Sequence, residues 1–201
     1  GFGNYRERCD SLFRSDRSML GLKQEQWLEK NLVQNKSIWN VIASPGPFLP
    51  FQFYRDDKEY RYIGAWDAYP ANRERIAEAI QAAKIGHPLI LSGDVHSFWA
   101  VDGTLTTNQN ERIPVVEFVT SSISANWPPP LAKPVTDNLS HNPQVRFYEP
   151  AKRGYLLHDV NSAEWQATAR AMQNVTDEQS PAFSLVSFIV SHGKSGFTRN
   201  G

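Results

Sequence analysis

The chain has 201 residues, of which 40% are hydrophobic and 12% aromatic, enough to bury the core of one ordinary domain. Basic and acidic residues number 21 each, so the net charge is zero; there is no basic field to attract a nucleic-acid backbone and no acidic solvating tail. The single cysteine, Cys9, excludes an internal disulfide and a zinc site built on cysteine pairs.

In chain order, the opening "GFGNYRERCDS" lacks the apolar core of a signal peptide. "LKQEQWLEKNLV" predicts a helix with Trp27, Leu28, Leu32 and Val33 on one stripe, and "IWNVIA" after it has strand length. Pro70 opens a second helix, "ANRERIAEAIQAAK", in which Ile76, Ile80 and Ala83 recur at helical spacing. Gly86 and Pro88 stop it, and "LILS" follows as a buried strand. "IPVVEFVTSS" reads as a third strand, and the Pro-rich stretch from Ser124 to Pro143 as a loop. "EWQATARAM" sets alanine content against a period-two alternation of Trp165, Ala167, Ala169 and Ala171 with polar residues. The alternation decides for a strand hairpin with "RGYLLHDV", and "FSLVSFIV" adds another strand. No apolar run, Phe183 to Val190 included, is long and unbroken enough to span a bilayer. Helices early and antiparallel strands late predict an α/β sandwich rather than a doubly wound sheet.

In "PLILSGDVHSFWA" a buried strand runs into Ser-Gly and then into Asp94 and His96, two positions apart. Strand residues i and i+2 face one side, so carboxylate and imidazole converge on one ion if the extended geometry persists through Val95. Strand ends in α/β sheets gather functional residues. An oxygen and an imidazole nitrogen suit iron, manganese or zinc, with the carboxylate free to bridge to calcium or magnesium. The competing reading is an ordinary Gly-Asp turn in which the acid caps backbone amides.

"RSDRSMLGLKQEQWL", "WNVIASPGPF", "WDAYPANRERI", "LILSGDVHSFWA", "PVVEFVTSSIS" and "RGYLLHDVNSAEWQA", in this order, resemble the second half of PhoD-like alkaline phosphatases, which belong to the calcineurin-like metallophosphoesterases. The resemblance implies a two-sheet sandwich flanked by helices, with residues 1–201 forming the C-terminal part of a single domain. It implies metal-dependent hydrolysis of phosphomonoesters or phosphodiesters by a metal-activated water, without a covalent protein nucleophile. Asp94 and His96 match the late metal-ligand motif. Iron and calcium are the metals implied, manganese or zinc the alternatives, and a secreted or periplasmic location goes with them.

The family's earlier motifs, which carry the other ligands, are expected before residue 1. The expected partner is therefore the N-terminal half, as a second chain or a preceding segment, and one face of the buried sheet is expected to be bare without it. The alternative function is a non-catalytic subunit that completes the fold and metal site of that separate chain.

Trp66, Asp67 and Tyr69, in a loop before a helix, are candidates to line the substrate mouth. The favoured reading packs Trp66 and Tyr69 beneath that helix and makes Asp67 its cap. Phe98 and Trp99 read as core. His87, His141, His158 and His192 are assigned no role. "HGKSG" fails as a phosphate loop because Phe188 stands where glycine is needed, and no G-x-S-x-G elbow occurs. Three N-x-S/T sequons, at Asn35, Asn138 and Asn174, are weak evidence of glycosylation, because the Asn, Ser and Thr content produces such motifs by chance.

Overall fold

The structure, a computed structural model, describes residues 4–125 and 129–200, without the side chains of residues 129–131. The elements in chain order are β1 (Tyr5–Glu7), α1 (Leu22–Gln34), β2 (Val41–Ala43), β3 (Phe53–Arg55), β4 (Lys58–Tyr62), α2 (Pro70–Ala82), β5 (Leu89–Ser92), β6 (Phe98–Thr106), β7 (Arg112–Val119), α3 (Pro129–Asp137), β8 (Val145–Glu149), β9 (Gly154–Val160), β10 (Glu164–Met172), β11 (Ala182–Ser191) and β12 (Thr198–Asn200). They form a five-stranded sheet in the order β2-β5-β7-β6-β8, a four-stranded sheet β12-β11-β10-β9 and a small sheet β1-β4-β3.

The central sheet is buried on both faces, which is why β5 and β7 read as nearly continuous apolar runs. The strand period of two sorts their side chains. Ile90, Ile113 and Val115 turn toward Leu32 of α1 and Ile76, Ala77 and Ile80 of α2. Leu89, Val116 and Phe118 turn the other way, onto Trp165, Ala167 and Ala169 of β10 and Val186, Phe188 and Val190 of β11. This is the expected sandwich flanked by helices. It also corrects one expectation: the sheet ending in "LILSG" has no bare face, because the four-stranded sheet supplied by this chain covers the side opposite the helices.

The hairpin β9–β10 forms as the alternation predicts, with Trp165 opposite Val160 and Ala171 opposite Gly154. Two local readings change. Of the apolar side chains of α1 only Leu32 is buried, beside the ion-paired Glu25, while Trp27 and Val33 are 60% and 62% exposed. At about 100° per residue they flank the Leu28–Leu32 row, and α1 packs through that row alone. The Pro-rich stretch is not wholly loop. It contains α3, followed by a 3-10 turn at Leu139–His141, although its residues 126–128 lie outside those described.

That helical segment has a specific task. Asn138 and Asn142 each both donate to and accept from the backbone beside β3: Asn138 Oδ1 accepts from Tyr54 N at 2.7 Å, and Asn142 Oδ1 from Gln52 N at 2.8 Å. Their amide nitrogens donate back to the carbonyls of Tyr54 and Gln52, so two side chains imitate a strand along this edge. Asn138, one of the sequon residues, is therefore buried with its carboxamide engaged.

Candidate metal centre at the strand ends

Strands β2, β5 and β7 run parallel, so their C-terminal ends emerge at one edge of the sheet. Three loops meet there: 44–47 after β2, 93–97 after β5 and 120–122 after β7. A Cβ placed on Gly46 would lie 3.8 Å from the Asp94 Cβ, and one on Gly93 would lie 3.4 Å from Thr120 Cγ2. The small residues thus let the loops approach closely.

The acid–imidazole pair sits in the middle loop in a form the sequence does not disclose. Strand β5 stops at Ser92, and both Asp94 (φ 71°) and His96 (φ 54°) adopt the left-handed conformation. The extended spacing expected through Val95 does not persist, so strand alternation is not what relates the two side chains. The backbone turns tightly, with Val95 N donating to Gly93 O at 2.9 Å. Left-handed non-glycine residues are uncommon and cost of order 1 kcal/mol or more each, so they survive only where their surroundings hold them.

Several contacts hold them. Val95 is buried among Tyr5, Phe53 and Val119. Ser97 Oγ donates to the Val95 carbonyl at 3.1 Å. The Tyr62 hydroxyl, from β4, donates to Asp94 Oδ2 at 3.1 Å. Burial pushes the Tyr62 hydroxyl above its ordinary value, with the Asp94 carboxylate acting in the same direction. On the far side, Arg153 donates to the His96 carbonyl oxygen. The outcome is an exposed Asp94 and a half-buried His96 on a braced turn.

A buried carboxylate supports the neighbouring loop. Glu117 points from β7 toward the helical side and is almost fully enclosed. Its Oε1 accepts from Phe48 N at 2.7 Å and Ser92 Oγ at 2.6 Å, and its Oε2 from Leu49 N at 2.8 Å. Burial pushes its carboxyl above the ordinary range, and the three donors oppose that shift. A lone charge within "IPVVEFV" was the signal that could have found it.

Trp66, Asp67 and Tyr69 are placed differently from the pair. Trp66 is 3% exposed, packs on Phe48 with ring centroids 4.6 Å apart, and donates its indole N–H to Ser44 Oγ at 2.9 Å. Asp67 does not cap α2. Its Oδ2 accepts from Phe51 N at 3.2 Å and its Oδ1 from Arg73 at 3.1 Å, an ion pair with both side chains largely enclosed. Tyr69 lies under the Arg17 guanidinium, 4.9 Å from ring centroid to Cζ. A cavity of about 50 Å³ behind the pair is lined by Tyr62, Val95, Trp99 and Asp67 among others, but not by Trp66 or Tyr69.

As a metal site the arrangement is partial. Among the described residues no group of three or more His, Cys, Asp or Glu side chains could hold an ion. Asp94 offers a hard oxygen and His96 an imidazole, a donor set that fits a share of a mixed oxygen and nitrogen shell and no more. Sequence reasoning missed Tyr62 and Arg153. Tyr62 lies in no motif, and Arg153, although it opens the "RGYLLHDV" stretch, carries no local sign of its reach to His96.

The two-sheet sandwich, with its acid–imidazole turn where parallel strands run out, defines a class of α/β proteins whose chemistry sits at one sheet edge. The sequence pattern of the PhoD-like phosphatase family matches residues 4–169, and the chain belongs to that family. It is 32% identical over 189 residues to alkaline phosphatase D of Bacillus subtilis (strain 168), an overlap of 92% of this chain and 32% of that protein. It also matches a solved structure of PhoD with a TM-score of 0.85 at 27% identity, over 98% of this chain and 38% of the other. The chain thus spans about a third of the length of the curated relative it matches.

Proposed function

We propose that this chain contributes Asp94 and His96 to the metal site of a phosphoester hydrolase acting on phosphomonoesters, phosphodiesters or both. The observation that carries the reading is the braced turn at the strand ends, which keeps the Asp94 carboxylate exposed on a backbone that is costly to maintain. Family membership supplies the reaction class. Bound metal would acidify water and offset charge on the phosphoryl oxygens. Iron and calcium are the ions favoured by the family resemblance, with manganese or zinc as alternatives.

Asp94 and His96 have the task of holding ligand atoms at fixed positions, and Tyr62 that of orienting the carboxylate through Oδ2. In the reaction a water oxygen forms a bond to phosphorus as the bond to the leaving oxygen breaks, and a proton passes to the leaving oxygen. Trp66 and Asp67 take no part in this reading, because both are committed to packing and to internal hydrogen bonds.

The remaining ligands belong, in this proposal, to the N-terminal half of the same enzyme, either joined to this chain or separate from it. Strands β2 and β9 each end a sheet with no further partner among the described residues. They lie on one flank, since the Trp39 indole before β2 donates to the Asn161 carbonyl after β9 at 2.7 Å. Ile38 and Val41 are 53% and 40% exposed at the start of β2, and Leu157 is 54% exposed on β9. Apolar exposure along two open edges suits a docking segment. No described helix is long and apolar enough to cross a membrane, and a secreted or periplasmic location remains part of the proposal.

The test is hydrolysis of nitrophenyl phosphate and bis-nitrophenyl phosphate by the complete enzyme, with and without chelator. Asp94→Asn and His96→Ala should each cut metal content and turnover while leaving the fold intact. Full activity in both variants, or turnover that resists chelation, would overturn the reading. Tight stoichiometric metal binding by these 201 residues alone would show that no second half is needed for the site.

A further inference from the structure

Arg153 lies in the turn between β8 and β9 and is 5% exposed, yet it forms no ion pair among the described residues. Its nearest acid in the turn, Glu149, spends Oε1 on the backbone N–H groups of Ala151 at 2.6 Å and Lys152 at 3.2 Å. The guanidinium donates instead to neutral acceptors in three loops. Nη1 reaches the His96 carbonyl and, at 2.9 Å, Ser121 Oγ, and Nη2 reaches the Pro150 carbonyl. Ser121 Oγ in turn donates to the Lys152 carbonyl at 2.8 Å, so the loop after β7 is tied to the same turn.

Enclosing a guanidinium without a direct ion pair is costly, and desolvation lowers the pKa of Arg153 while the Glu149 charge opposes that shift. Packing alone would be met more cheaply by an apolar side chain. A rigid planar fork with several donors can, however, fix carbonyls from separate loops in one plane. One of those carbonyls belongs to His96, whose left-handed backbone needs an external restraint.

We infer that Arg153 is a positioning residue that locks the His96 backbone, and with it the acid–imidazole turn, before any metal binds. The inference rests on the assignment of Asp94 and His96 as ligands. It deepens that assignment by naming what preorganises the pair from the side opposite Tyr62. Losing such support should weaken metal affinity by roughly 10- to 100-fold, the range typical of groups that orient ligands.

The experiment uses the complete enzyme with Arg153→Ala and Arg153→Lys, beside Asp94→Asn and an unrelated control at a partly buried arginine, Arg75→Met. Three quantities are measured: metal affinity by competition with a chelator, hydrogen exchange of the 93–98 amides in the metal-free protein, and recovery on adding guanidinium ion. Arg153→Ala should bind metal at least about tenfold more weakly, exchange faster across 93–98, and regain affinity with guanidinium. Arg75→Met should lower stability without changing affinity. Arg153→Lys, which keeps charge and bulk, covers the case in which the alanine variant does not fold, and should show the same loss in milder form. Wild-type affinity and wild-type exchange in both Arg153 variants would overturn the inference. If Asp94→Asn also keeps full metal affinity, the ligand assignment fails instead, and the exchange measurement on metal-free protein still judges Arg153.

Discussion

Asp67 and Asp94 both sit in short turns just ahead of a regular element, and both carry a carboxylate that could serve a ligand. Their surroundings make them opposites. Both oxygens of Asp67 are engaged: one accepts from a backbone N–H, the other from a guanidinium, and Trp66 packs into the core beside it. Around Asp94 the backbone is left-handed, the side chain is exposed, and the Tyr62 hydroxyl restrains one oxygen. A carboxylate saturated by its own fold stabilises that fold. One that is oriented but left open is available to something outside the chain.

The comparison can be broken at its buried end first. Trp66→Ala should lower unfolding stability by roughly 3–5 kcal/mol, because an enclosed indole and its hydrogen bond to Ser44 are lost. Thermal or denaturant unfolding checks it, and an unchanged melting temperature with a raised KM would move Trp66 from core to pocket. Asp67→Ala should cost somewhat less, about 1–3 kcal/mol, since Arg73 keeps its bond to the Phe48 carbonyl while Phe51 N is orphaned. Neither change should alter metal affinity.

A pH experiment sharpens the buried side further. The Glu117 carboxyl is raised from its ordinary value of 4.5, so the native state holds its proton more firmly than the unfolded chain. Its contribution is complete below about 4.5 and is lost as pH rises toward the folded value. Unfolding measured across this range should show wild type losing stability relative to Glu117→Gln as pH increases. A parallel pH dependence in the two proteins would count against the shift.

The smallest effect belongs to the open end. Asp94→Gly should leave stability unchanged or raise it by up to about 1 kcal/mol, because glycine adopts φ 71° without strain, even though the hydrogen bond from Tyr62 is lost. The same variant should lose metal binding in the complete enzyme. A loss of stability comparable to that of Asp67→Ala would mean that Asp94 too is a structural turn residue.

Local chemistry was enough to make much of this legible. Alternation along β10, the apolar runs of β5 and β7, and Pro70 at the head of α2 each act through neighbours in sequence, so these elements and their buried faces are readable from the residues alone. So are the Gly-Asp-Val-His motif and the ordered motifs that place the chain in its family. What those residues do in space depends on contacts made across the fold. Arg153 reaches His96 across 57 positions, Tyr62 reaches Asp94 across 32, and Glu117 reaches Phe48 across 69. Hydrogen bonds between such distant residues leave no periodic trace, and a left-handed aspartate looks in sequence like any other. The same holds for exposure. Trp27 is as apolar as any core residue, but whether a helix buries one row or three depends on what packs against it, and here α1 presents one row to the core.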